Sequence, residues 1–279
     1  MTMKPVIKNI LVPTDYSATA LRAAKIAATI AKETEAELYV MHSYGLPVVG
    51  VAESIVIADD IKHTEGKKLN QFINDLHTEF GRIKIHGILE FGTAADWIQR
   101  KSEDHKIDLV VMGTKGDTDN ANSIFGSVTS HVINNLKCPV LVVPKGIRSF
   151  NVREVLFATD FHFTDNAADY LKPFLALANH YEPFIHVAQF TANKPAGAHL
   201  KNIEELKLTG LLKDTKHSFH YVEGADTEKA LFSFAEKYHC DLIVSVTRHY
   251  SLWEKIFHHS LTKELVLHSE IPVLVLHEY

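Results

Sequence analysis

Three strand-like runs occur twice in this chain, in the same order. NILVPTD at 9–15 returns as REVLFATD at 153–160. DLVVMGTK at 108–115 returns as DLIVSVTR at 241–248, and CPVLVV at 138–143 returns as IPVLVL at 271–276. Two halves of similar length with one order of elements mark a tandem duplication. The spacing predicts domains at 1–147 and 148–279, with a short linker around 145–151. The halves are expected to pack as a pseudo-twofold pair, as a homodimer of single domains would.

Within the first half, strand and helix patterns alternate. NILVPTD reads as a buried strand ending in a polar turn. Ser17 is suited to cap the helix that follows, whose Ala20, Ala23, Ala24, Ala27, Ala28 and Ala31 recur at helical spacing. A stripe of alanines lets a helix lie close against a sheet. A second strand is predicted at 37–43, a long amphipathic helix at about 54–80, and a third strand at 82–90, nearer a sheet edge. A helix at 93–103 follows, with Thr93 as its cap. The run LVVM at 109–112 and the run VLVV at 140–143 are apolar throughout, as strands buried on both faces are. Alternating strands and helices imply a parallel sheet covered on both faces. Right-handed crossovers then favour an order in which strand four lies beside strand one. The fold class is α/β: two tandem, doubly wound, five-stranded parallel-sheet domains of Rossmann-like type. In such a sheet a ligand binds outside the carboxyl ends of the strands, at the switch point. Here those ends are Pro13, Thr14 and Asp15 on strand one and Met112 and Gly113 on strand four.

Composition excludes several classes. The net charge is -5, which argues against non-specific nucleic-acid binding. No apolar run reaches transmembrane length, and residues 1–8 lead into a strand without a signal-peptide core. The two cysteines, Cys138 and Cys240, fall in different halves and form no disulfide framework. A cytoplasmic location is the expectation.

The sharpest local signal is the segment after strand four. Gly113 and Gly116 permit positive φ and close backbone approach. Beyond nine intervening residues, 117–125, come Gly126 and Ser127, where a helical pattern through Val128, Val132, Ile133 and Leu136 begins. Free amides, the Ser127 hydroxyl and the positive end of that helix suit a phosphate, and Thr129 offers a second hydroxyl. The plainer reading is a surface loop with turn glycines. The pattern is neither G-x-x-x-x-G-K-[ST] nor G-x-G-x-x-G. Asp15 also has a plainer reading, as a turn former or cap. Lys115 is by default a solvated loop lysine. Asp117 and Asp119 are placed to help hold Mg²⁺ beside phosphates, or simply keep the loop solvated.

The G-2x-G-9x-G-[S/T] pattern after a strand resembles the ATP-binding motif of the universal stress protein family. NILVPTD, His42 and CPVLVV at 138–143 fit the same resemblance, which spans the chain and weakens in the second half. It implies an adenine nucleotide alpha hydrolase-like fold with ATP as ligand, to which Mg²⁺ at Asp117 and Asp119 would be an optional addition. It also implies that Asp15 and the backbone at Pro13 and Thr14 meet the adenine and ribose, with Ser43 beside the base. Met112, Gly113, Lys115 and Gly116 would line the ribose and phosphates, and Gly126, Ser127, Val128 and Thr129 would hold the phosphates.

The second half keeps Asp160 but loses the glycines. Val246 stands where Gly113 does, His249 where Gly116 does, and His258 and His259 replace Gly126 and Ser127. The expectation is one ATP site, in the first half. The chain's 18 histidines raise a metal-binding alternative centred on His258 and His259, with His239, Cys240, His268 and His277 nearby in sequence. No tight metal-ligand spacing supports it, and no metal ligand is assigned. The leading function is a non-enzymatic stress-response protein that binds ATP as a regulatory ligand. A slow ATPase or phosphotransferase, a purely structural pair of domains, and further homodimerisation stay open.

Overall fold

The structure is a computed structural model. It describes residues 6–45, 51–114, 127–147, 149–161, 164, 166–191, 198–248 and 269–278, of which 51–57, 127, 198–204 and 248 are described by backbone alone. These residues form two compact units, Lys8–Leu136 and Met1–Ile7 with Lys137–Tyr279.

The first unit contains β1 (Asn9–Pro13), α1 (Ala18–Thr34), β2 (Glu37–Tyr44), α2 (Val51–Phe80), β3 (Ile85–Phe91), α3 (Ala94–Asp104), β4 (Leu109–Gly113) and α4 (Ser127–Asn135). Its strands run in the order β3-β2-β1-β4, all parallel. Strand four therefore lies beside strand one, and β3 stands at the edge, as expected. Ser17 caps α1: its Oγ accepts from Ala20 N at 3.1 Å. The alanine stripe is buried along its length, and α1 packs on β4 and β1. Thr93 is also the N-cap of α3, but it makes no capping bond to the backbone; its hydroxyl goes to the Asp96 carboxylate instead.

Asp108 anchors the start of the sheet. Its Oδ2 accepts from Lys8 N at 2.8 Å and from Asn9 N at 3.0 Å. Two amides at the mouth of β1 are thereby satisfied by one carboxylate, which fixes β1 against β4.

The second unit contains β5 (Val140–Val143), β6 (Glu154–Ala158), α5 (Ala167–Tyr170), α6 (Lys172–Tyr181), β7 (Phe184–Thr191), α7 (Ala198–Leu211), β8 (Lys216–Glu223), α8 (Thr227–Lys237), β9 (Leu242–Arg248) and β10 (Val273–Glu278). Its strand order is β5-β10-β9-β6-β7-β8. The duplication shows in detail. Asp241 Oδ2 accepts from Arg153 N and Glu154 N at 3.0 and 3.2 Å, as Asp108 does for Lys8 and Asn9. His239 occupies the left-handed turn before β9 at φ 52°, as Lys106 does before β4 at φ 48°.

One expectation is corrected. The sheet is mixed: β5, fifth strand of the first repeat by sequence, pairs antiparallel with β10 in the second unit. Both strands are fully buried, and each would otherwise expose an apolar edge with unpaired amides. Pairing the two last strands removes both edges.

Candidate functional site

The carboxyl end of β1 is shaped by a short run of side chain to backbone hydrogen bonds. Thr14 N continues the ladder onto Met41 O at 2.8 Å. Thr14 Oγ1 accepts from Tyr16 N, and Asp15 Oδ1 accepts from Ser17 N, both at 3.0 Å. These turns force Tyr16 into the left-handed region, φ 63°. For a non-glycine residue this costs about 1–2 kcal/mol. Ring contacts offset the cost: Tyr16 lies 4.4 Å from the His42 ring and 5.8 Å from Phe72, centroid to centroid. Asp15 is thus the turn former that its plainer reading suggests. It is also exposed at the switch point.

His42, near the end of β2, ties three elements together. Its Nδ1 donates to the Thr14 carbonyl at 2.7 Å, which fixes the proton on that nitrogen because a carbonyl only accepts. Its Nε2 stands 3.2 Å from Glu65 Oε2 on α2. Glu65 Oε1 takes Lys68 Nζ at 2.9 Å, and the Tyr16 hydroxyl donates to the Glu65 carbonyl at 3.4 Å. Burial, and then the Glu65 carboxylate, push the Tyr16 phenol well above its ordinary range.

Across from β1, Gly113 ends β4. Its φ lies outside the left-handed region, so the glycine is explained by close approach rather than by backbone sign. A Cβ there would stand 2.5 Å from Thr19 Cγ2. Thr129 Oγ1 donates to the Gly113 carbonyl at 3.0 Å. Its hydroxyl hydrogen therefore fastens α4 to β4 rather than pointing at a ligand.

These ends enclose a cavity of about 520 Å³, within the range of small-molecule sites. Of the residues singled out in the sequence, Pro13, Thr14, Asp15, Ser43, Met112, Gly113, Val128 and Thr129 line it. Lys115, Gly116 and Gly126, with Asp117 and Asp119, lie outside the described residues; Ser127 opens α4, its side chain likewise outside. The periodicity of α2 did not reveal that Ile61, Glu65 and Lys68 form the opposite wall, nor that Tyr16, Met41 and Tyr44 join it.

The family model that matches is that of the universal stress proteins, and it matches twice, at residues 7–144 and 153–277. The chain belongs to the universal stress protein family. Among its curated relatives, a universal stress protein of Methanocaldococcus jannaschii is 40% identical over 144 residues, spanning 50% of this chain and 82% of that one. A second from the same organism is 28% identical over 159 residues, spanning 51% of this chain and 98% of that one. The crystal structure of a universal stress protein from Archaeoglobus fulgidus superposes with a TM-score of 0.72 at 19% identity, over 98% of this chain and 97% of that one. This last likeness, at such low identity, speaks for the tandem fold alone.

The second repeat keeps the turn and changes what surrounds it. Thr159 N bonds Ala188 O at 3.0 Å, Thr159 Oγ1 accepts from Phe161 N at 3.1 Å, and Phe161 sits at φ 59°. But Gln189 Nε2 donates to the Asp160 carbonyl where His42 meets Thr14, and Phe161 stacks toward Phe219 and Tyr221. Cys240 is buried, and burial, with Glu154 and Asp241 beside it, raises its thiol to about 12. Among the described residues no group of three or more His, Cys, Asp or Glu is placed to hold a metal ion. His249, His258, His259 and His268 lie outside them. Among the described residues, too, no helix is long and apolar enough to cross a membrane.

Proposed function

We propose that this universal stress protein binds ATP in its N-terminal unit as a regulatory ligand, and that its C-terminal unit does not bind ATP in the same way. The observation that carries the reading is the cavity at the joined ends of β1, β2 and β4, lined by Gly113, the first glycine of the pattern. Its donor set suits a nucleoside: apolar Met41, Met112 and Val128 for a base, and Thr14, Asp15 and Ser43 for hydroxyl and amino groups. The phosphates would then run toward Gly116, Gly126, Ser127 and Lys115, with Mg²⁺ accompanying them near Asp117 and Asp119. In the second unit Val246 stands at the position of Gly113, and the other glycines of the pattern are replaced as well.

A ligand that binds only the folded form stabilises it by mass action and favours the arrangement that it contacts. That is the mode of action proposed here, in a cytoplasmic setting and a stress response. Calorimetric titration of the full chain with Mg²⁺ and ATP tests it. Asp15→Asn keeps the acceptor for Ser17 N while removing the charge, and is expected to weaken binding. No binding to the unmodified chain, or unchanged affinity in the variant, would contradict the reading. Phosphate release measured alongside separates a regulatory ligand from a substrate: steady turnover would mark an ATPase.

A further inference from the structure

A second cluster of ionisable groups lies in the C-terminal unit, at β7 and β8. The register places His186 opposite Ser218 and Ala188 opposite His220, and β8 is the last strand in the order of that unit. The two imidazoles face each other, with His186 Nδ1 3.2 Å from His220 Nε2. His186 Nε2 meets Glu154 Oε2 at 3.0 Å, and Ser218 Oγ lies 2.7 Å from His220 Nε2. His186 is 6% exposed. Over the pair lies α8: the Tyr238 ring is 4.4 Å from His186, and Phe234 is 5.0 Å from His220.

This is not a nucleophile relay. In such a relay the base uses one ring nitrogen for the serine and the other for its orienting partner. Here a single nitrogen of His220 meets both Ser218 and His186. It is also not among the clusters with enough ligands for a metal.

Proton counting shows what the arrangement can do. Glu154 accepts only, so His186 keeps a hydrogen on Nε2. The 3.2 Å gap between the rings then holds one hydrogen, on His186 Nδ1 or on His220 Nε2. One extra proton is tolerable, because the chain ends on a carboxylate. With both rings charged, each nitrogen carries a hydrogen, and two N–H groups point into one gap. Their hydrogen bond becomes a repulsion between like charges against a single carboxylate.

We propose that the His186–His220 pair ties β8 to β7 beneath α8 while it holds a single hydrogen in its gap, and that proton uptake on acidification parts the rings on which α8 packs and loosens α8. The charged and titratable groups facing the pair are Glu154 on β6 and Tyr238 and Lys237 at the end of α8; Cys240 and Asp241, leading into β9, lie behind Glu154. Glu154 is the carboxylate in contact with the pair, and His186 already occupies it. Burial first, then His186 and Lys237, hold His220 below the ordinary imidazole range. The sign follows. A histidine lowered in the folded state stabilises fully above its unfolded value, near 6.5, and that stability is lost as pH falls below it toward the folded value.

The test uses the full chain. Imidazole resonances of His186 and His220 are followed by NMR from about pH 7.5 to about pH 5, a span that brackets the ordinary imidazole value. Hydrogen exchange of α8 is measured at both ends. His220 is expected to titrate below the ordinary value, and to shift upward in His186→Gln. Protection of α8, corrected for intrinsic exchange, is expected to fall at acid pH by up to about tenfold per unit of that shift. His220→Gln keeps a donor toward His186 Nδ1 but cannot titrate, and should retain that protection. Ordinary titration of His220 with no response to His186→Gln overturns the proposal, as does equal acid loosening in His220→Gln. If a variant fails to fold, the titration and exchange of the unmodified chain decide alone.

Discussion

Gly113 runs so close to Thr19 that a Cβ on it would stand 2.5 Å from the Thr19 methyl and 3.3 Å from the Thr19 backbone. The alanine stripe of α1 brings the helix this near β4, and the close fit sets one wall of the cavity. Gly113→Ala is expected to destabilise the chain by about 1–3 kcal/mol, the usual range for overpacking. Thr19→Ser removes the methyl and should recover part of that loss. Denaturant unfolding of the single and double variants measures both.

Asp108 and Asp241 each hold two backbone amides at the start of a first strand. Asp108→Ala leaves two amides of β1 without their acceptor and is expected to cost about 1–3 kcal/mol. Asp108→Asn, which still accepts through Oδ1, should cost less. Asp241→Ala should behave alike, since the geometry repeats.

Much of this architecture is legible in the sequence. The alanines of α1, Ser17 as a cap and the buried run at 109–112 all follow from local periodicity and capping chemistry. The strand one to strand four adjacency follows from handedness. What local pattern does not carry is partner choice. The two last strands read alike, and nothing in CPVLVV says that it will pair with its own copy in the opposite direction. Glu65 and Lys68 belong to a helix whose amphipathic face is plain, but periodicity does not say which strand end that face meets. His186 and His220 lie 34 positions apart, and only the β7–β8 register brings them together. Gly113 is legible as a point of close approach, but its neighbour is not: Thr19 requires the glycine, rather than a positive φ.

Cys240 is buried with its thiol raised to about 12, whereas Cys138 is partly exposed. At neutral pH Cys240 holds almost no thiolate, the reactive form. A disulfide reagent should titrate Cys138 in the native chain and reach Cys240 only after unfolding. Prompt reaction of two thiols would show that the β9 entrance opens readily.

Glu65 joins α2 to His42, and His42 joins β2 to the turn after β1. Glu65→Gln removes the charge from this link. It is expected to lower the Tyr16 titration midpoint, because the carboxylate is the second cause, after burial, of its elevation. It is also expected to weaken ATP binding by about 1 kcal/mol, roughly fivefold. Ultraviolet difference titration and calorimetry read the two effects separately.

The proposed function requires one nucleotide per chain, held by the N-terminal unit. Calorimetric titration of the full chain, stripped of carried nucleotide, with ATP and Mg²⁺ tests it directly through the stoichiometry. About one equivalent is expected, abolished by Gly113→Val combined with Gly126→His, the changes that imitate the second repeat. Two equivalents per chain, or one equivalent that survives this double substitution, would contradict it.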